Sequence, residues 1–231
     1  MSFEDKLERF YSRLDLTGGN VIDVGAHTGR HAIPIAKLIG DKGVLLAFEP
    51  IPKIREVLGR NLQAANLNNV VIYPFALSRE SRVAEFNFIP NLPEESGLQK
   101  RHIYNATPEA FVKIKVPVKR LDDLVPQDMR IDFIKMDVEG GELDVLEGGL
   151  GLLSGCKPVV AFECGAASFL GYHKTPETIW EIFNMRGYAV YSITGDFMGS
   201  AEIFAKASYE QKYWDYLAFP PEKLQYHRFL N

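Results

Sequence analysis

The sequence predicts an α/β fold in which a seven-stranded, mostly parallel sheet carries helices on both faces. Short apolar runs of strand length alternate with stretches of helical periodicity, a pattern typical of right-handed βαβ units. The chain has 231 residues, enough to bury one large core without disulfides. A turn with two glycines follows the first apolar run, as at the ligand-binding edge of an open parallel sheet. We therefore expect a single domain over residues 1–231.

The overall composition argues against several classes of protein. The 26 basic and 30 acidic residues give a formal net charge of −4, which leaves no electrostatic footprint for nucleic acid. The N-terminus is charged and lacks the apolar core of a signal peptide, and no apolar run reaches about 18 residues. Cys156 and Cys164 lack metal-ligand spacing and indicate reduced thiols. We expect a cytoplasmic protein without a membrane span or a nucleic-acid partner; no feature of the sequence sets its oligomeric state.

The first third of the chain predicts a helix followed by three strands. Apolar residues recur at helical spacing near the N-terminus and predict an amphipathic helix over about residues 3–14. The strands that follow are "NVIDV" (20–24), "GVLLAFEP" (43–50) and "NVVIYPFALS" (69–78), separated by the helical patterns "RHAIPIAKLIG" (30–40) and "IPKIREVLGRNLQAAN" (51–66).

The alternation stops between residues 79 and 120. Short strand patterns with Pro, Gly and Ser between them predict a substrate-facing insertion over about residues 86–117. We expect apolar walls of an acceptor pocket from Phe86, Phe88, Tyr104 and Phe197.

The alternation then resumes to the end of the chain. "IDFIKMDVEG" (131–140) and "KPVVAFECG" (157–165) predict strands around the helix "ELDVLEGGLGLL" (142–153). In "TPETIWEIFNMRG" (175–187), Thr175 precedes a proline at the first helical position and so predicts a helix start. "YAVYSI" (188–193) and "YWDYLAF" (213–219) predict a final antiparallel pair of strands, joined without a helical pattern.

The glycine turn "DVGAHTG", residues 23–29, connects the first strand to the next helix. Gly25 and Gly29 permit a tight bend and a close approach of the backbone to a ligand, because neither has a Cβ. The start of the helix presents free backbone N–H groups to a carboxylate or phosphate. A purely structural turn would have the same spacing, so this turn alone leaves both interpretations open.

Glu49, at the end of the second strand, narrows the choice of ligand. An acidic side chain at this position can accept both ribose hydroxyls of an adenosine. His27 stands where a dinucleotide-binding turn has its second glycine, and its side chain would crowd a pyrophosphate. The pattern favours a ligand with adenosine but no pyrophosphate, of which S-adenosylmethionine is the most common.

The stretch "DFIKMDVEGGELDVLEGG", residues 132–149, resembles the hallmark of the FkbM family of S-adenosylmethionine-dependent methyltransferases. That hallmark is an apolar strand ending in Lys-x-Asp-x-Glu-Gly before a helix that contains glutamate, and Lys135, Asp137, Glu139, Gly140 and Glu142 match it. The resemblance extends to "VIDVGAHTG", "AFEP", "FALS" and "LDDL", over roughly residues 20–218. It implies the Rossmann-like class-I methyltransferase fold.

The resemblance also implies a set of residues that bind the cofactor. These are Asp23, Gly25, Ala26, His27, Thr28, Gly29, Glu49, Pro50, Ala76, Leu77 and Asp137. For His27, contact with the cofactor carboxylate is the first expectation, and a role as base is the second.

Asp137 and Glu139 are the candidate catalytic residues. Asp137 ends the fourth strand, which lies beside the first in the expected order, so its carboxylate would face the methionine half of the cofactor and the substrate oxygen. Neighbouring carboxylates can raise one another's pKa and supply a general base. Glu139 and Glu142 can instead stabilise the start of the next helix. Lys135 is expected to pair with a carboxylate such as Asp137 or Glu163.

The predicted function is methylation of a hydroxyl on a small molecule, sugar, polyketide or glycolipid by an S-adenosylmethionine-dependent methyltransferase. The alternatives are an NAD-type oxidoreductase, which the absence of a Tyr-x-x-x-Lys motif disfavours, and a non-catalytic nucleotide-binding domain. No obligatory metal is predicted, because no convincing set of oxygen ligands extends beyond Asp137, Glu139 and Glu163.

Overall fold

A computed structural model of the protein describes residues 2–99, 111–126, 128–165 and 175–230. The central sheet contains β1 (Asn20–Val24), β2 (Val44–Phe48), β3 (Val70–Tyr73), β7 (Phe133–Met136), β8 (Val159–Glu163), β9 (Ala189–Ser192) and β10 (Asp215–Phe219). Its strand order is β3-β2-β1-β7-β8-β10-β9. Only β10 of these seven runs antiparallel to its neighbours, which confirms the predicted fold class.

Helices cover both faces of this sheet. They are α1 (Phe3–Tyr11), α2 (Ala32–Ile39), α3 (Pro52–Ala64), α4 (Glu142–Gly148), α5 (Leu150–Cys156), α6 (Pro176–Asn184) and α7 (Ala201–Tyr209). Because side chains alternate along a strand, Val21 packs with α1 to α3 while Ile22 packs with α4 to α7. No helix in the described part of the chain is both long and apolar enough to cross a membrane.

The N-terminal helix is shorter than the predicted 3–14. It ends at Tyr11, and Ser12 caps it with helical φ and ψ angles. Leu14 is buried although it follows the helix, so its apolar character reflects packing of the connecting turn and not a further helical turn.

Three other elements differ from the sequence predictions. The last two strands are joined by α7, whose start is capped where the hydroxyl of Ser200 accepts the Ile203 N–H at 3.2 Å. The predicted helix 142–153 is two helices, α4 and α5, with Gly149 between them. The predicted strand 69–78 is interrupted after Tyr73 at Pro74, which has no N–H to donate to a neighbouring strand.

A second, three-stranded sheet of order β4-β6-β5 begins before the predicted insertion over about residues 86–117 and ends just after it. Its strands are β4 (Ala76–Leu77), β5 (Arg82–Phe88) and β6 (Val112–Lys119), with β5 and β6 antiparallel. A small apolar cluster that includes Ile51 and Phe86 packs this sheet against the start of α3. The sheet therefore forms one side of the space above the carboxyl ends of β1 and β2.

Candidate active site

The glycine turn between β1 and α2 is held closely against two neighbouring strand ends. The N–H groups of Gly25 and Ala26 both donate to the Phe48 carbonyl at 3.0 Å. Gly25 has a φ of +78°, and a Cβ added there would lie 2.0 Å from the carbonyl oxygen of Asp137. Only glycine fits this position, so the turn and the segment after β7 form one closely packed unit.

Glu49 lies at the end of β2 with its carboxylate held by the backbone. Its Oε2 accepts the His27 N–H at 3.0 Å, and its Oε1 accepts the Ile51 N–H at 2.8 Å. The residue is 3% exposed, and burial raises its pKa to about 7 despite these hydrogen bonds and the Arg55 charge. Each carboxylate oxygen accepts one backbone N–H and retains a second lone pair for another donor.

A buried lysine connects two carboxylates at the same edge of the sheet. Strand register places Asp23 of β1 directly beside Lys135 of β7. The Lys135 Nζ lies 3.7 Å from Oδ1 of Asp23 and 3.5 Å from Oδ2 of Asp137. Burial would lower the pKa of Lys135, but the charges of Asp137 and Asp23 raise it. The lysine therefore stays charged at neutral pH.

Asp137 also belongs to a group of three carboxylates. One oxygen each from Asp137, Glu139 and Glu163 lies within 4.8 Å of the others. Burial would raise the pKa of Asp137, but the Lys135 charge and a hydrogen bond with Glu163 lower it. Glu139 has a φ of +59°, an uncommon conformation for a residue with a Cβ. Three such oxygen atoms can hold a divalent cation, although the Lys135 ammonium already offsets part of their charge.

A cavity of about 220 Å³ opens above these groups. One end is apolar and lies against the second sheet, and the other is charged and lies over β1 and β7. The apolar end is lined by Ile51, Phe75, Ala76, Leu77, Phe86 and Leu98, and the charged end by Glu4, Arg30, His31, Lys135, Asp137 and Glu139. Such a cavity suits a ligand with a flat apolar part and a charged part.

Comparison with known proteins identifies the family. The sequence profile of the FkbM methyltransferase domain matches residues 23–190, which include the glycine turn, Glu49 and the Asp137 turn. The chain belongs to the FkbM methyltransferase family.

Curated relatives and a solved structure agree with this assignment. The chain is 30% identical over 143 residues to Methyltransferase 1 of Beauveria bassiana, and 32% identical over 154 residues to Methyltransferase sdnD of Sordaria araneosa. Each match covers 55% of this chain and 57% or 59% of the relative, so the chain spans little more than half the length of these relatives. The crystal structure of methyltransferase FkbM from Methylobacillus flagellatus KT aligns with a TM-score of 0.56 at 16% identity, over 90% of this chain and 44% of that chain, which shows a shared fold.

Most of the predicted site residues of this FkbM-family chain line the cavity. They are Gly25, Ala26, His27, Glu49, Pro50, Ala76, Leu77, Asp137 and Glu139. Asp23, Thr28 and Gly29 do not. Asp23 is fully buried beneath Lys135, and the Thr28 carbonyl accepts a hydrogen bond from Asn61 at 2.8 Å. Gly29 makes room for the side chains of Leu58 and Ile33.

His27 faces the cavity from a strained backbone position. Its φ is +47°, and its Nδ1 lies 3.3 Å from the Thr28 hydroxyl. Burial lowers the pKa of the imidazole, partly opposed by the charge of Glu94. The ring is therefore neutral at neutral pH and can donate one hydrogen bond and accept another.

Of the four aromatic wall candidates, the structure places one in the cavity. Phe86 lines it, whereas Phe88 is buried within the second sheet's own apolar cluster. Phe197 is 56% exposed and packs on Tyr191, with ring centroids 5.1 Å apart. Tyr104 lies outside the described residues.

Several charged or polar residues at the site were not predicted from the sequence. Glu4, Arg30, His31, Glu94 and Ser96 line the cavity. Asp215 lies beside Glu163 because β10 pairs with β8. Burial raises the pKa of Asp215 to about 7, and the charges of Asp137 and Glu4 add to this effect. An antiparallel strand begins at the edge of the sheet where the parallel strands end. The predicted antiparallel final pair therefore already indicated that Asp215, at the start of its strand, lies at this edge.

Proposed function

We propose that the protein transfers a methyl group from S-adenosylmethionine to a hydroxyl oxygen of a small-molecule, sugar, polyketide or glycolipid acceptor. The observation that carries this proposal is the Glu49 carboxylate, fixed by two backbone N–H groups at the rim of a cavity with one apolar and one charged end. Family membership supports methyl transfer as the reaction.

The residues of the cavity suit the parts of this cofactor. Glu49 would accept the ribose hydroxyls, and Pro50, Ala76 and Leu77 would contact the adenine between apolar walls. The turn from Gly25 to His27 would bind the methionine half, with the neutral His27 ring as a donor to its carboxylate. When bound, the cofactor supplies a methyl group on a positively charged sulfur.

Asp137 and Glu139 would act on the acceptor. The lowered pKa of Asp137 keeps its carboxylate ionised at neutral pH, so it can orient the acceptor hydroxyl and take its proton as the oxygen–carbon bond forms and the sulfur–carbon bond breaks. Lys135 would hold Asp137 in place through their 3.5 Å contact.

Two alternative functions are less well supported. An NAD-type oxidoreductase requires space for a pyrophosphate at the glycine turn, where His27 stands and where Gly25 already abuts the Asp137 carbonyl. A non-catalytic nucleotide-binding domain would not need the group of carboxylates at the charged end of the cavity.

Calorimetric titration separates these possibilities. We expect S-adenosylmethionine to bind with a Kd in the micromolar range or below and NAD to show no binding at millimolar concentration. Transfer of labelled methyl groups to a panel of hydroxylated sugars, polyketides and glycolipids then tests for an enzyme. NAD binding without S-adenosylmethionine binding would overturn the proposal.

A further inference from the structure

Glu4 reaches the cavity from outside the matched family domain. It belongs to the first turn of α1, ahead of the region 23–190 covered by the family profile. Its side chain is 49% exposed and shares the charged end of the cavity with Lys135 and Asp137. The N-terminal helix therefore contributes a carboxylate to the site.

A buried pair of aromatic side chains holds this carboxylate. The Nε2 of His31 contacts Oε2 of Glu4, and the Tyr11 hydroxyl lies 3.0 Å from Nδ1 of the same ring. An ionised carboxylate can only accept a hydrogen bond, so Nε2 of His31 carries the proton that it donates to Glu4, while the buried Tyr11 hydroxyl pairs with Nδ1. Burying an imidazole is costly unless both of its nitrogens are hydrogen-bonded. Both nitrogens of His31 have partners, and one of these partners, Glu4, lines the cavity.

This contact is not needed to attach the helix. Leu7 and Phe10 bury the apolar face of α1 against the sheet. Arg30 pairs with Asp5 at 3.5 Å and also with Glu8. The contact with His31 instead fixes the position of the Glu4 carboxylate at the cavity wall.

Within the part of the chain that the structure describes, Glu4 shares the charged end of the cavity with two further carboxylates, Asp137 and Glu139. Lys135 lines the same end and is already in contact with Asp23 and Asp137. Arg30, the other cation that lines the cavity in the described part of the chain, is occupied by carboxylates of α1. A positive centre that enters this end therefore meets the half-exposed carboxylate of Glu4.

We propose that Glu4, positioned by His31 and Tyr11, is a specificity-determining residue that makes the charged end of the cavity select a cationic sulfonium over a neutral thioether. The inference rests on the proposed function, because S-adenosylmethionine carries this charge and its product S-adenosylhomocysteine does not. Loss of the attraction after methyl transfer favours exchange of the product for a new cofactor molecule.

The test compares three ligands on three proteins by calorimetric titration. S-adenosylmethionine and sinefungin, which carries an ammonium group near the position of the methyl group, are the cationic probes, and S-adenosylhomocysteine is the neutral one. Glu4→Gln removes the charge at constant shape. Asp15→Asn is the matched control, since Asp15 is an exposed carboxylate that follows the same helix and does not line the cavity.

In Glu4→Gln we expect the affinities for both cationic ligands to fall by about threefold to tenfold, as for a partly screened charge, and the affinity for S-adenosylhomocysteine to stay within about twofold. Asp15→Asn should leave the ratio of cationic to neutral affinities unchanged. In the wild type, this ratio should fall as salt rises from about 50 to 500 mM.

Equal losses for all three ligands in Glu4→Gln would show that Glu4 only attaches the helix, and equal effects of Glu4→Gln and Asp15→Asn would show a general effect of charge. Either result overturns the inference. If the wild type binds none of the three ligands, the proposed function itself fails and the inference falls with it. Melting temperatures measured alongside verify that both variants are folded.

Discussion

Replacing Glu49 by glutamine should weaken cofactor binding and remove its pH dependence. Glutamine keeps the length of the side chain and one oxygen for the backbone N–H groups of His27 and Ile51, but it cannot accept hydrogen bonds with both terminal atoms. Hydrogen bonds to a charged group contribute about 1.5–3 kcal/mol. The Kd for S-adenosylmethionine should therefore rise by about 10-fold to 150-fold.

The sign of the pH dependence follows from the raised pKa of Glu49. In the free protein this pKa is about 7, and ribose hydroxyls that donate to the ionised carboxylate lower it, so binding releases a proton. Affinity should fall by up to about tenfold per pH unit below pH 7 and level off above about pH 8. The stability of the free protein has the opposite pH dependence. Because the pKa of Glu49 in the folded protein lies above the ordinary value of 4.5, its contribution to the free energy of unfolding is fully present below pH 4.5 and is lost as the pH rises through 7.

Calorimetric titration at several pH values, in buffers of different ionisation enthalpy, measures both the Kd and the number of protons released. Glu56→Gln is the matched control, because Glu56 is an exposed carboxylate on the neighbouring helix α3. If Glu49→Gln binds within twofold of the wild type and keeps the same pH profile, Glu49 does not hold the ribose and the reasoning fails.

Three further predictions concern the glycine turn after β1 and the segment after β7 that it contacts. Gly25→Ala should destabilise the protein by about 2–4 kcal/mol, because the new Cβ meets the Asp137 carbonyl at a positive φ, and denaturant unfolding measures this; an unchanged midpoint would refute it. Asp137→Asn should lower kcat by about 10²–10⁴-fold with an acceptor from the panel and change the cofactor Kd much less; loss of cofactor binding instead would make Asp137 a cofactor ligand. Chelation with EDTA should leave activity intact, since the Lys135 ammonium already lies 3.5 Å from Asp137; loss of activity that Mg²⁺ restores would establish a metal held by Asp137, Glu139 and Glu163.

The sequence predicted the fold because the apolar pattern of each central strand is nearly continuous, as burial on both faces requires. The expected position of the fourth strand beside the first agrees with the observed order, and it brings Asp137 beside the glycine turn. The helix Ala201–Tyr209 was missed because its apolar residues form a weaker pattern, although Ser200 stands at the position of an N-cap. Packing against α6 stabilises this helix, whose local helical preference is weak.

Only part of the candidate site could be predicted from the sequence. Glu49 and Asp137 follow strands whose ends are readable from the sequence, so their positions could be predicted. The predicted antiparallel final pair already indicated the position of Asp215, but Glu4 comes from the first helix, and only the three-dimensional arrangement places it near Asp137. The periodicity of α1 predicted which face is buried, but it gave no indication that a carboxylate beside that face meets His31.

The contact between Gly25 and the Asp137 carbonyl bears on how such a protein can be altered. The glycine turn and the segment after β7 are more than a hundred residues apart in sequence, yet they lie so close together that no side chain fits between them. Neither segment can therefore be exchanged for one from another protein unless the other is exchanged as well. Pro93, Glu94, Ser96 and Leu98 line the opposite wall from a loop of the second sheet, where no such constraint is present. A library that seeks new acceptors should therefore vary this loop and leave the turn and the strand end untouched.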